Sequence, residues 1–96
     1  MAHYLIVNAD ITDLDLLNKY SKAAGATLVG RPAKVLIATN DAVTLEGTPA
    51  GSRVVLIEFA DRAALDDWYQ SPEYQTIIGM RLEATNGFAL VAQGLG

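Results

Sequence analysis

Between Arg53 and Phe59 the chain reads Arg-Val-Val-Leu-Ile-Glu-Phe, and its β-branched and aromatic residues mark a strand. Val55, Ile57 and Phe59 fall on one face of that strand, Val54 and Leu56 on the other. A strand that is apolar on both faces has to be covered on both. The chain has 96 residues, about one domain at the usual length of roughly 100–200, and too few elements to cover a sheet twice. A second copy of the chain, packed sheet against sheet, is the expected second layer.

The other elements follow from periodicity and punctuation. His3 to Ile11 alternates as a strand, with Leu5, Val7, Ala9 and Ile11 on an apolar face and Tyr4, Ile6, Asn8 and Asp10 on a mixed one. Thr12 and Asp15 have the spacing of a capping box, and Leu16, Leu17, Tyr20, Ala24 and Leu28 continue at helical spacing toward Gly30. Ala33 to Thr39 is a second strand. Asn40-Asp41 marks a turn or bulge before Val43 to Glu46, and Gly47 to Ser52 is a loop. Asp61 caps a short helix with Ala64, Leu65 and Trp68 on its apolar side. Ser71-Pro72-Glu73 starts another, with Tyr74, Ile77, Ile78, Arg81 and Leu82 on one face. Asn86-Gly87 is read as the end of that helix, and Phe88 to Gln93 as the last strand.

This order, β-α-β-β-α-β with a broken second helix, is the ferredoxin-like arrangement of two split β-α-β units. It predicts an α+β fold with a four-stranded antiparallel sheet in a single domain over residues 1–96.

Composition removes whole classes of chemistry. There is no cysteine, and His3 is the only histidine, so thiolate chemistry, multi-histidine metal sites and a conventional catalytic triad are not expected. No metal or cofactor is predicted. Seven Lys+Arg against eleven Asp+Glu give a net charge of −4, the wrong sign for tracking phosphates or an anionic membrane. Neither nucleic acid nor membrane is an expected partner. Tyr4 to Val7 is interrupted by Asn8 and Asp10 before it could serve as a signal segment, which leaves a cytoplasmic location as the expectation.

Among the polar residues, Glu58 stands out because it shares a face with Val54 and Leu56, where an ionised carboxylate without a partner is costly. It is the candidate general acid/base in a cavity between sheets, or else a structural carboxylate paired with an arginine. In this topology strands one and three are antiparallel neighbours, which places Tyr4 beside Glu58 and Asn8 beside Val54. Asn8 and Glu58 would then lie about 13 Å apart, too far to grip one small group. Tyr4, Asn8, Tyr74 and Arg81 are the candidate ligand-binding residues. Asp10 is weighed with Asn8, against the plainer role of ending the strand and capping the first helix. Trp68 falls on an apolar stripe and reads as core, whereas Tyr69 and Tyr74 need partners for their hydroxyls if buried. Arg81 follows Tyr74 by seven residues on the same helical face and could pair with Glu58 or bind an anionic ligand.

The strand Val55 to Phe59, the stretch Trp68-Tyr69-Gln70-Ser71-Pro72-Glu73-Tyr74-Gln75, the turn Leu45-Glu46-Gly47 and the opening Asn8 to Asp13 together resemble the small bacterial family known as the domain of unknown function DUF1330. The resemblance covers nearly the whole chain, and the Trp-Tyr-x-Ser-Pro-Glu-Tyr stretch is its most specific part. It implies the dimeric α/β-barrel superfamily, in which two ferredoxin-like subunits face each other through their sheets. Members often carry a Gly-Gly-Arg-like segment entering strand two. This chain has Pro32-Ala33-Lys34 there, so a basic role at that place rests on Lys34.

Relatives in the superfamily include cofactor-free monooxygenases, muconolactone-type isomerases and haem-handling enzymes, an analogy of fold alone. Haem ligation by His3 is disfavoured by its place at a fraying end. Three functions are compatible with these readings. One is a cofactor-free enzyme of monooxygenase or isomerase type, with Glu58 as acid/base and Tyr74 and Arg81 orienting an aromatic or acidic substrate beside the dimer-facing sheet. The second is a non-catalytic, ligand-binding or stress-related homodimer, and the third a purely structural dimer. A closed interface around Glu58 would favour the last, and an open pocket of about 300 Å³ or more the first two.

Overall fold

A computed structural model describes all residues from 1 to 96. The elements are β1 (His3–Ile11), α1 (Leu14–Leu28), β2 (Ala33–Thr39), β3 (Arg53–Phe59), α2 (Arg62–Tyr69), α3 (Pro72–Ala84) and β4 (Thr85–Gln93). The strands form one antiparallel sheet in the order β2-β3-β1-β4, which is the ferredoxin-like α+β topology that the element order predicts. No helix is long and apolar enough to cross a membrane.

The period of two in the strands decides which face is covered. Leu5, Val7 and Ala9 of β1 and Ile57 and Phe59 of β3 are buried beneath the helices, which contribute Leu17, Ala24, Leu65, Trp68 and Tyr74 to the same core. The opposite face carries Ile6, Val54, Leu56, Glu58, Ile37, Phe88 and Leu90 by register. No helix covers it. Phe88 and Leu90 are 47% and 53% exposed there, opposite Asn8 and Ile6 of β1.

The helix starts are set by side chains that take up orphan N–H groups. The Asp13 carboxylate accepts from the Leu16 N–H at 3.0 Å, so Asp13 caps α1. The predicted cap, Thr12, instead donates its hydroxyl to the Glu83 carbonyl at 3.3 Å. Asp61 accepts from the Ala64 N–H at 2.8 Å and caps α2 as expected. Ser71 is the buried cap of α3, accepting from the Tyr74 N–H at 3.2 Å and donating to the Trp68 carbonyl at 2.7 Å, with Pro72 next in the first turn. Ser71 therefore joins the end of α2 to the start of α3. Ser71→Ala should lower stability by about 1 kcal/mol, read as a shift in the urea midpoint at unchanged slope.

Three expectations are corrected. The segment Val43–Glu46 lies in the irregular loop 40–52. Leu82, placed on the apolar face of α3 by its spacing, is 62% exposed. Asn86-Gly87 does not end α3; it lies inside β4, opposite Asp10 and Ala9 of β1. A side chain at Gly87 would strike the Asn8 carbonyl and the Ala9 backbone, so the glycine lets two strands approach closely. Gly30, by contrast, does follow α1 with φ 79°, the left-handed conformation that favours glycine after a helix.

Candidate functional site

Between the helices and the sheet lies a cavity of about 130 Å³. Leu5, Val7 and Ile57 form its floor, Ala24 and Leu28 one wall, and Trp68, Tyr69 and Tyr74 another. Val35, at 47% exposure, also lines it and marks where it meets solvent. The aromatic wall is a connected cluster: the rings of Trp68 and Tyr74 are 4.0 Å apart, and those of Phe59 and Trp68 5.5 Å. The Trp68 indole N–H donates to the Thr27 hydroxyl at 2.9 Å, which fixes the ring between α1 and α2.

Tyr20, Tyr74, Arg53 and Arg81, together with the smaller Ser21 and Thr85, interrupt the apolar lining. Tyr20 of α1 and Tyr74 of α3 join hydroxyl to hydroxyl at 2.7 Å. Burial pushes the Tyr20 hydroxyl far above the ordinary tyrosine range; Tyr74 adds to this, while the Arg81 and Arg53 guanidiniums pull partly back. Tyr20 is therefore a neutral donor at any physiological pH and a poor base. Arg53 reaches the cavity from the start of β3, with Nη1 donating to Asn40 Oδ1 at 2.8 Å and Nη2 to Ser21 Oγ at 3.4 Å. Burial lowers its pKa, against an opposing pull from Tyr20. Arg81 comes down from α3, and its Nε is buried with no hydrogen-bond partner.

The sequence-derived candidates divide between the two faces of the sheet. Tyr4 lies opposite Glu58 in the β1–β3 ladder, as the topology predicts, and its hydroxyl donates to Glu58 Oε2 at 2.8 Å. That bond, more than the accompanying desolvation, raises the Tyr4 pKa. Lys34 is the register partner of Glu58 on β2, and with Pro32, Ala33 and Ala60 the pair borders an open depression. Glu58 thus faces away from the helices, as expected, and its bonded partner is a phenol rather than an arginine. Tyr74 and Arg81 lie on the helix side. The expectation that they approach a cavity lined by Glu58 is corrected: the sheet itself separates them.

Asn8 sits opposite Val54 as predicted, and its amide is fully engaged. It donates to the Gly51 and Arg53 carbonyls at 3.0 and 3.1 Å and accepts from the Ala50 N–H at 2.9 Å. Those bonds tether the loop before β3 rather than reach a ligand. Asp10 is exposed and does not cap α1. His3 is the first residue of β1, at the terminal place expected of it, and is paired there with Phe59 and Gln93.

Tyr20 and Arg53 are the cavity residues that the sequence reading did not single out. Both carried a signal. Tyr20 shares the helical stripe of Leu17 and Ala24, so its hydroxyl had to point at the core. Arg53 shares the period-two face of Val55, Ile57 and Phe59, so its charge had to point under the helices.

The fold has close counterparts among solved structures. RPA0582, a protein of unknown function from Rhodopseudomonas palustris, is 14% identical with a TM-score of 0.79, over 99% of this chain and 83% of that one. A dimeric protein of unknown function with a ferredoxin-like fold from Bacteroides fragilis is 13% identical with a TM-score of 0.65, over 97% of this chain and 96% of that one. SnoaB, a cofactor-independent oxygenase from Streptomyces nogalater, is 6% identical with a TM-score of 0.66, over 99% and 94%. At such identities the likeness is one of fold. No curated protein matches the chain. The model of the domain of unknown function DUF1330 matches residues 2–95, the whole of the sheet and all three helices, and the chain belongs to that family.

Proposed function

We propose that this chain is a small-molecule-binding protein that holds its ligand between the helices and the sheet, and that its uncovered sheet face pairs with a second copy. The observation that carries the first part is a cavity of about 130 Å³ between the helices and the sheet, walled by Trp68, Tyr69 and Tyr74. An apolar cavity of roughly 150 Å³ admits one benzene-sized ring, so the volume suits a single ring; the open depression beside Glu58, where about 300 Å³ or more is the expected mark of a ligand site, measures about 280 Å³ but has only five lining residues. Tyr74 and Arg81 are ligand-facing in this reading. Glu58, Tyr4 and Asn8 are not.

The homodimer is supported by the apolar residues of the uncovered face, since contiguous exposed apolar surface marks an interaction site. The similar protein from Bacteroides fragilis, dimeric by its description, points the same way. A second reading, a cofactor-free enzyme of monooxygenase or isomerase type, is favoured by the hydrogen-bonded Tyr20–Tyr74 pair beside two guanidiniums, a donor set suited to a developing oxyanion. The fold that the chain shares with the oxygenase SnoaB is compatible with it. Turnover of a single-ring ketone or phenol would decide for that reading.

Benzene added to the isotopically labelled protein should move the NMR signals of Ala24, Trp68 and Ala89, which line the cavity, and leave Tyr4 and Glu58 in place. No movement at saturation would end the binding reading. Light scattering at micromolar concentration should give about twice the chain mass of 10.2 kDa; a clean monomer would end the homodimer.

A further inference from the structure

The charges around the cavity specify more than its volume does. The chain as a whole is acidic, at −4, yet no carboxylate lines this cavity and two guanidiniums do. The ion pairs in the molecule lie elsewhere, at Arg31–Glu73 and Arg62–Asp66. Arg53 is bonded only to neutral oxygens, those of Asn40 and Ser21, and Arg81 leaves a buried Nε–H without any acceptor. Both side chains are half-buried; a cation partly withdrawn from water without a counter-charge carries a cost, and an orphaned buried donor adds to it. Protein groups relieve neither. An acceptor carrying negative charge, entering the cavity, would relieve both.

The remaining lining says what the charge is attached to. The single tryptophan and three of the four tyrosines of the chain line this one cavity, and aromatic rings prefer tilted or edge contacts with another ring. The hydrogen-bonded Tyr20–Tyr74 pair adds a hydroxyl donor that an anionic oxygen can use.

We infer that the cavity takes a compact aromatic anion, a single ring bearing a carboxylate or phenolate oxygen, with Arg81 and Arg53 neutralising the charge and Trp68, Tyr69 and Tyr74 flanking the ring. This rests on the reading of the cavity as a ligand site and names the chemical class of the ligand. Arg81 supplies the buried N–H, and Arg53 supplies charge from the opposite wall while staying anchored to Asn40.

Benzoate and benzamide have the same ring and nearly the same shape and differ in charge, so isothermal titration of the wild-type protein with both is the decisive comparison. Benzoate should bind at least tenfold more tightly. Equal affinity, or tighter binding of benzamide, would overturn the anion while leaving the cavity reading intact. Binding of neither, with benzene also failing to bind, would remove the cavity reading itself. Cyclohexanecarboxylate tests the ring, and affinity equal to that of benzoate would overturn the aromatic part. In Arg81→Gln and, separately, Arg53→Gln, the preference for benzoate over benzamide should fall at least fivefold. An unchanged preference in folded variants would overturn the roles of the two arginines, and the wild-type comparison decides the ligand class even if one variant fails to fold.

Discussion

Trp68→Ala should lose about 3–5 kcal/mol of stability, a large part of the roughly 5–15 kcal/mol that a domain possesses. Trp68 is 1% exposed and touches the three aromatic residues Phe59, Tyr69 and Tyr74. Truncation removes the transfer energy of the largest buried side chain in the molecule. It also opens a void that runs into the cavity already beside it, so the walls cannot close over the gap. The indole N–H bond to Thr27 goes too, but Thr27 keeps its bond to the Ala24 carbonyl at 2.6 Å, which limits that part of the loss to about 1 kcal/mol. Trp68→Phe should therefore retain more than half of the lost stability. Urea midpoints of the two variants check the ordering, and a loss under 1 kcal/mol for Trp68→Ala would mean that the ring is not structural cement for the helix layer.

Leu56→Asp is expected to dissociate the proposed dimer and leave the subunit folded. Leu56 lies in the middle of the uncovered face, between Ile6 on β1 and Ile37 on β2, and none of the helices rests on it. An unpaired carboxylate there costs several kcal/mol once a partner sheet excludes water. Twofold symmetry places the change in both subunits. At about 3 kcal/mol each, the dissociation constant rises by roughly four orders of magnitude. Sedimentation or light scattering would report monomers, while the far-ultraviolet dichroism and the Trp68 fluorescence stay native. A variant that remains dimeric would show that the subunits meet through another surface.

The strands were legible because their pattern is local. Short apolar, β-branched runs between turn signals bound β2 and β3, and the topology that follows from the element order pairs Tyr4 with Glu58. The site was harder to read, and the reason is particular. Glu58 draws attention because it interrupts an apolar face, but an uncovered face tolerates a carboxylate that finds a phenol. Arg53 interrupts the covered face, where the cost is greater, yet at the start of a strand it looks like an ordinary solvated end. Arg81 and Tyr74 were correctly placed together by helical spacing, but spacing does not say on which side of a sheet a helix will lie. Asn86-Gly87 was misread because a glycine that ends a helix and one that lets strands approach leave the same mark. Thr12 and Asp13 are adjacent and both good caps, and only the backbone of the folded chain chooses between them.

The sheet order has a kinetic consequence. β1 is an interior strand, yet neither of its neighbours, β3 and β4, is adjacent to it along the chain; each rung of those ladders closes a long loop before any pairing energy is returned. Folding dominated by such distant contacts is slow compared with that of helical bundles. While it proceeds, β1 has both edges open and its apolar face, with Leu5, Val7 and Ala9, still waits for the helices that cover it in the folded chain. The interval before β4 arrives is therefore when this chain is most prone to pair wrongly with its own copies, through strand edges and an apolar strand face that the finished fold closes off.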